Sequence, residues 1–152
     1  MYKTRIGDFD IGEKDTLFFV KGLPGFENYK KYSIVTVDSS APFKWLISLE
    51  NSEIALPVIN PWMVRIDYDI SVPDADLKVL SIKGPEDSVV WAVSSIPENA
   101  PEHSTVDLVA PIIVNIKNNK AMQIILDDNR YTFRHSIKEE LLRSEKLLKE
   151  VK

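Results

Sequence analysis

Residues 43–49 read Phe43-Lys44-Trp45-Leu46-Ile47-Ser48-Leu49, a run rich in aromatic, β-branched and other apolar side chains. A run of this composition with a period of two is typical of a strand that buries one face of a sheet. The same pattern recurs along most of the chain. The other predicted strands are Thr16–Val20, Tyr32–Val37, Met63–Tyr68, Leu77–Lys83, Ser88–Ser95, Ile112–Ile116, Met122–Leu126 and Tyr131–Arg134. The sequence therefore predicts about nine or ten short strands.

Turn-forming segments separate these strands at regular intervals. They are Lys21–Gly25, Asp38–Pro42, Lys83–Asp87, Pro97–Pro101 and Lys117–Lys120. In one of them, Pro24 fits the second position of a tight turn and Gly25 fits the third, where φ is positive. Pro57 and Pro73 fall where a proline is confined to an edge strand or a bulge. The spacing predicts a mainly β fold, a small antiparallel β-barrel-like or sandwich domain, rather than alternating βαβ units.

The C-terminal segment has a different pattern and predicts one α-helix. Ser136 and Glu139 form a capping box, and strong helix formers follow. The pairs Glu139–Arg143 and Glu145–Lys149 have the favourable i,i+4 spacing. One stripe of the helix comprises Ile137, Leu141, Ser144, Leu148 and Val151. We therefore divide a single domain into a β-barrel-like body, residues 1–135, and a helix packed on it, residues 136–152.

The leucines of this helix leave two interpretations open. A helix of about 17 residues is marginally stable alone in water, so the cluster at Leu141, Leu142, Leu147 and Leu148 must pack against something. It either docks onto the body of its own chain, which is the preferred interpretation, or meets a partner or a second copy. A monomer is the expected state.

Length and composition describe an ordinary globular domain. The chain has 152 residues, 44% of them hydrophobic and 28% charged, which suits one core. It has no cysteine, which excludes disulfides and thiolate metal sites. The first residues lack the apolar stretch of a signal peptide, and no run reaches the roughly 18 apolar residues of a membrane span. We expect a cytoplasmic protein without membrane attachment.

Charge disfavours direct binding to nucleic acid. Residues 1–137 carry 14 basic and 19 acidic side chains, so the body is at −5 whereas the whole chain is at −4. An acidic body repels phosphate backbones, whose binding depends on Lys and Arg. This argues against an oligonucleotide-binding barrel with a basic groove and stacking aromatic residues.

The sequence contains no catalytic, metal or cofactor motif. His103 and His135 are too far apart in sequence for any of the short spacings that hold a metal ion. Neither a GxSxG nucleophile turn nor a phosphate-binding glycine motif is present. A small barrel enzyme or ligand carrier that uses carboxylates remains the alternative, to be preferred if an apolar pocket held carboxyls of shifted pKa.

A cluster of carboxylates and one tryptophan are candidates for contact with another protein. The carboxylates are Asp67, Asp69, Asp74 and Asp76. If Asp67 and Asp69 lie on a strand, they point to the same face. The set is interpreted as a solvated face, as a surface for a basic partner or, least favoured, as a general acid–base or cation site. Trp62, near a loop, is either an interface anchor or half-buried packing.

Four segments together resemble the FliW family of flagellar assembly factors, over residues 16–134. They are Gly22–Glu27, Pro42–Leu46, Asn60–Pro61 and Thr105–Asn115. The family often has Gln, an aromatic residue and Asn where this chain has Ile47, Pro57 and Asp107. The resemblance implies a small β-barrel-like protein that lacks enzymatic activity and binds two proteins, flagellin in the cytoplasm and the basic translational regulator CsrA.

The resemblance also implies a regulatory switch. Free FliW binds CsrA and relieves its repression of flagellin translation, and flagellin displaces CsrA when it accumulates. On this basis the candidate contact residues are Pro24, Phe26, Glu27, Trp62, Asp67, Asp69, Asp74 and Asp76. Whether the two partners share a surface or are coupled through a conformational change stays open.

Overall fold

The structure, a computed structural model, describes residues 1–150. Its strands are β1 (Tyr2–Thr4), β2 (Gly7–Phe9), β3 (Leu17–Phe19), β4 (Lys31–Val35), β5 (Lys44–Ser48), β6 (Ala55–Ile59), β7 (Ser88–Ser95), β8 (Thr105–Val106), β9 (Ile112–Asn115), β10 (Lys120–Gln123) and β11 (His135–Ser136). Its α-helices are α1 (Asp74–Leu80) and α2 (Ile137–Glu150).

Seven of the strands close into a barrel. Their order is β7-β6-β5-β4-β3-β10-β9, and β9 pairs back onto β7 from Ser88 opposite Asn115 to Trp91 opposite Ile112. All pairs are antiparallel except β3 with β10. Strands β8 and β11 extend the sheet from β7, and β1 with β2 forms a separate hairpin. The predicted mainly β, barrel-like fold with a C-terminal helix is confirmed, with one parallel pair and a short second helix added.

Alternate residues of the barrel strands fill its interior. This inner cluster includes Leu17, Phe19, Tyr32, Leu46, Val58, Ile112, Val114 and Ala121. The rings of Phe19 and Tyr32 pack edge to face at 4.9 Å between centroids. In β3 and β9 the inner side chains are two residues apart, so the period of two in these sequences marks the inside of the barrel.

A second cluster covers one outer side of the barrel. Segments 61–82, 107–110 and 124–131 lie across the sheet there and bury Val64, Tyr68, Leu80, Leu108 and Tyr131 against outward-facing residues of β6, β7, β9 and β10. Strand β9 is consequently buried at all four positions. This explains the apolar run Ile112–Val114, because a strand covered on both faces has no solvent side. The buried Asn115 side chain donates to the Leu80 carbonyl.

Three predicted strands are wrong. Residues 63–68 follow from a 3₁₀ turn, Pro61–Met63, into turns and loop. The Asn60 side chain accepts a hydrogen bond from the Trp62 amide and starts this 3₁₀ turn at Pro61. Residues 77–83 contain the end of α1, which begins after Pro73. Residues 131–134 are a turn ahead of β11.

Four sheet elements were not predicted. They are the β1–β2 hairpin, β6 and the two short strands β8 and β11. Pro57 lies inside β6, opposite Trp45 of β5, although a proline was expected only at an edge or a bulge. The β6–β7 ladder begins only at Val58, so the missing amide hydrogen of Pro57 removes no bond from it.

Candidate protein-binding surface

Helix α2 docks onto the segment that follows β6 through polar contacts. The Ser144 hydroxyl donates to the Val64 carbonyl and accepts from the Ile66 amide, both at 3.0 Å. Ser144 is buried, as is Glu140 one turn earlier. We call Val64–Asp67, Glu140, Arg143 and Ser144 the docking seam. It fixes the helix by saturating backbone groups of a loop that has no sheet partner.

A buried ion pair lies at the centre of the docking seam. Arg65 Nη1 is 3.4 Å from Glu140 Oε1, and the guanidinium stacks over the Tyr131 ring at 4.8 Å. The same Glu140 oxygen lies 3.1 Å from His135 Nδ1. His135 Nε2 accepts a hydrogen bond from the Thr132 amide, so His135 joins the turn before β11 to the first turn of α2. Breaking such a pair leaves a charge buried without compensation.

A second ion pair closes the outer edge of the docking seam. Arg143 Nη1 and Nη2 donate to Asp67 Oδ1 and Oδ2, both at 2.6 Å. The Arg143 hydrogen bonds lower the pKa of Asp67 to about 2. The predicted pair of Glu139 with Arg143 does not form, because Arg143 is engaged by Asp67. The predicted pair of Glu145 with Lys149 is present at 3.4 Å.

Because the contacts that dock α2 are polar, three of its four leucines lie beside the docked face and remain largely exposed. Leu141, Leu142 and Leu148 are 46%, 58% and 52% exposed. Together with Phe43 and Pro101, the first two line an open groove of about 410 Å³. The preferred interpretation, in which the leucine cluster docks onto its own body, is wrong for these three residues. Val151 of the predicted stripe lies outside the described residues.

The loop from Gly22 to Glu27 closes one end of the barrel. Gly25 has φ of 86° and the Phe26 amide donates to the Leu23 carbonyl, which confirms the predicted turn. Leu23 is 3% exposed and packs into the inner cluster, whereas Phe26 is 39% exposed. Pro24 is exposed, and Glu27 Oε2 accepts from the Gly25 amide at 2.8 Å. We call this loop, Gly22–Glu27, the barrel plug, and its outer tip is apolar.

Trp62 is exposed at the border of an apolar patch. Its indole Nε1 donates to the Tyr68 carbonyl at 2.7 Å, and its ring packs edge to face on Tyr68. Met63 and Ile66, from the same segment, are also exposed. The hydrogen bond fixes the indole while leaving part of its surface open to a partner, which is the property of an interface anchor.

The four predicted aspartates do not form one uniform group. Asp67 is neutralised by Arg143, and Asp69 lies 3.6 Å from Arg130. Asp74 and Asp76 lie in the first turn of α1, where the helix dipole favours negative charge. The expectation that Asp67 and Asp69 share a strand face is wrong, since residues 61–69 form no strand.

Strand directions separate the predicted contact residues into two groups. Successive pairing of β3, β4, β5 and β6 is antiparallel, so β3 and β6 run in opposite directions. The Gly22–Glu27 loop follows the end of β3, and the Trp62–Asp69 segment follows the end of β6. The two groups therefore begin at opposite ends of the barrel.

One carboxyl has a raised pKa without lying in a groove of this surface. Burial raises the pKa of Asp107 to about 6, whereas hydrogen bonds from the Val109 and Ala110 amides lower it.

Within residues 1–150 no group of three or more His, Asp or Glu side chains is arranged to hold a metal ion. Over the same range no helix is long and apolar enough to cross a membrane.

Sequence reasoning did not identify Arg65, His135, Glu140 and Ser144 as functional positions. Two signals for them are present in the sequence. One is Ser144, a serine in an otherwise apolar helical stripe, and the other is Arg65, a charged residue inside a predicted apolar strand. Each marks a position where a polar group needs a specific buried partner.

Comparison with known proteins points to one family. A sequence model of the family described as FliW protein matches residues 1–137. The flagellar assembly factor FliW of Pseudothermotoga lettingae is 41% identical over 152 residues, covering 100% of this chain and 97% of that protein. That of Thermotoga maritima is 42% identical over 144 residues, covering 95% and 97%. A crystal structure of the flagellar assembly factor FliW superimposes with a TM-score of 0.84 at 27% identity, covering 90% of this chain and 95% of that one.

Proposed function

Because the chain belongs to the FliW family of flagellar assembly factors, we propose that it acts in the cytoplasm by binding flagellin and by antagonising CsrA. Both activities are protein–protein contacts and include no chemical step. In this scheme, free protein binds CsrA and relieves repression of flagellin translation. Flagellin that accumulates occupies the protein and releases CsrA.

The observation that carries this proposal is the surface between Trp62 and Asp76. It places the exposed apolar residues Trp62, Met63 and Ile66 on the same segment as carboxylates. We call residues 62–76 the contact segment. Apolar anchors beside charges of one sign are a common composition of specific interfaces.

The charge of the contact segment suits a basic partner. Arg130 contacts Asp128 at 2.6 Å and Asp69 at 3.6 Å, so one guanidinium is shared by two carboxylates. Asp74 and Asp76 have no ion-pair partner within residues 1–150. The resulting negative field, placed beside the RNA-binding face of CsrA, disfavours a polyanion through repulsion as well as obstruction.

Calorimetric titration tests the two contacts separately. The protein is titrated with CsrA and with a peptide of the C-terminal helix of flagellin, each at low and high salt. We expect saturable heat with both, and weaker CsrA binding at high salt because the charged contact is screened. Heat from neither partner contradicts the proposal.

A charge-neutral variant tests the electrostatic part. It combines Asp69→Asn, Asp74→Asn and Asp76→Asn and retains Asp67, whose charge Arg143 already balances. We expect RNA affinity of the CsrA complex to recover. The matched control removes three exposed charges elsewhere, through Asp8→Asn, Glu13→Gln and Glu53→Gln. Equal recovery in both variants, or recovery in neither, contradicts a local role for the contact segment.

The apolar tip of the barrel plug is proposed as a second contact. Phe26 is an exposed aromatic residue at this tip, with the exposed Pro24 and Glu27 beside it. Phe26→Ala should weaken binding of one partner while the thermal unfolding midpoint changes little, because the ring is partly solvated already. A less stable protein with undiminished affinity for both partners would assign the loop to folding alone.

A further inference from the structure

The outward face of α2 has a symmetric sequence. Leu141 and Leu142 lie at its centre, Lys138 three residues before the pair and Glu145 three residues after it. All four side chains line the groove beside Phe43 and Pro101. At 100° per residue, Lys138 and Glu145 point in nearly the same direction, with one leucine on either side.

This face fits a second copy of itself. Consider two antiparallel copies of the helix related by a twofold axis that passes between Leu141 and Leu142. Each residue then lies opposite the residue at the same distance on the other side of that axis. Leu141 then meets Leu142 of the second copy, and Lys138 meets Glu145 in both directions. Such a contact is isologous and closed, with opposite charges at both ends.

We propose that α2 forms a homodimer through Lys138, Leu141, Leu142 and Glu145. Three observations support it. The docking seam uses Glu140, Arg143 and Ser144 of the helix and leaves Leu141 and Leu142 exposed. Lys138 has no ion-pair partner within residues 1–150, and Glu145 uses only Oε1, toward Lys149. In each copy, Leu141 and Leu142 line a groove together with Phe43 and Pro101, and this groove can receive side chains of the other copy.

The area of one helix face supports a weak dimer. Exposed ion pairs add little energy, so the leucines supply most of the association and the charges set its geometry. We expect a dissociation constant on the order of 0.1 mM. This inference is independent of the proposed partners, because it concerns the oligomeric state alone.

Sedimentation equilibrium of the full chain provides the test. The weight-average mass should rise from 17.3 kDa toward twice that value as concentration increases from about 10 μM to about 1 mM. Leu141→Glu with Leu142→Glu should abolish the rise. These side chains are exposed, and an unchanged thermal unfolding midpoint verifies that the fold is intact. A mass that stays at 17.3 kDa in the wild type, or a dimer that survives the leucine variant, overturns the proposal.

Charge reversal tests the antiparallel geometry. Lys138→Glu alone and Glu145→Lys alone each place like charges opposite one another, so each variant should dimerise at least about tenfold more weakly. Mixing the two variants restores opposite charges at both contacts, and dimerisation should recover. Lys146→Glu is the control. It makes the same lysine-to-glutamate change about a quarter turn around the helix from Glu145 and should have little effect on dimerisation. Failure of the mixture to recover overturns the proposed pairing.

Discussion

Arg143 of α2 and Asp67 of the segment after β6 form a bidentate ion pair, with both N–O distances at 2.6 Å. They are 76 residues apart in sequence, and the pair closes the docking seam on its solvent side. Together with the buried Arg65–Glu140 pair and the Ser144 hydrogen bonds, it determines which face of the helix meets the body. The exposed leucine face is a consequence of this polar attachment.

Arg143→Met should lower the free energy of unfolding by about 1 kcal/mol at pH 7, since the pair is partly exposed and screened by solvent. The pKa of Asp67 in the folded state, about 2, is below its usual value of 3.8. The stabilisation is therefore present above pH 3.8 and is lost as pH falls toward 2. Urea unfolding should show a smaller difference in the free energy of unfolding between variant and wild type at pH 2.5 than at pH 7. Arg134→Met, at an exposed arginine, is the control, and an equal loss there would contradict a specific role for Arg143.

Ser144→Ala should destabilise the protein by about 2 kcal/mol, because the Val64 carbonyl and the Ile66 amide both lose their partner in a buried seam. Amide hydrogen exchange should show the largest loss of protection in α2 and at Ile66. Ser52→Ala, at an exposed serine, should change neither quantity. Unaltered protection of α2 in the Ser144 variant would mean that the Arg65–Glu140 and Asp67–Arg143 pairs hold the helix without the hydroxyl.

Asp107→Asn should stabilise the protein by about 1 kcal/mol at pH 7.5, after allowance for residual solvent contact. Burial raises the pKa of Asp107 in the folded state to about 6 from 3.8. The cost of its charge is thus absent below pH 3.8 and develops as pH rises through 6. Asparagine keeps an oxygen for the Ala110 amide, which donates at 3.0 Å. Thermal unfolding midpoints should differ at pH 7.5 and converge near pH 4, and a gain that is equal at both pH values would rule out ionisation as its cause.

Gly22→Ala should cost several kcal/mol, roughly 2 to 4, because the barrel plug needs glycine there. Gly22 has φ of 66°, and an added Cβ would lie 2.7 Å from the Glu27 Cα and 2.8 Å from its carbonyl oxygen. Gly12→Ala is the matched control, since nothing lies within 4 Å of its added Cβ. Chemical denaturation should separate the two variants, and similar stability of both would contradict the packing of the plug.

Local patterns determined the parts of the fold that depend on neighbouring residues. The predicted strand Ser88–Ser95 coincides with β7, and the predicted turn at Leu23–Gly25 is present. Both follow from rules that involve a few adjacent residues, namely alternation of side chains across a strand and the positive φ that glycine permits. The start of α2 is of the same kind, since the Ser136 hydroxyl accepts from the Glu139 amide at 3.2 Å.

The sequence by itself determined that this is a mainly β domain with a C-terminal helix and that it resembles the FliW family. Only the tertiary structure decided that residues 63–68 form a covering loop, because apolar residues are buried equally well in a strand and in a loop laid across a barrel. It also decided the orientation of α2. Val64 meets Ser144 across 80 residues of sequence, and this contact depends on both segments reaching the same side of the barrel. The sequence of the helix predicted an apolar stripe. The contacts of the docking seam determined that Ser144 of this stripe is buried whereas Leu141 and Leu148 remain exposed.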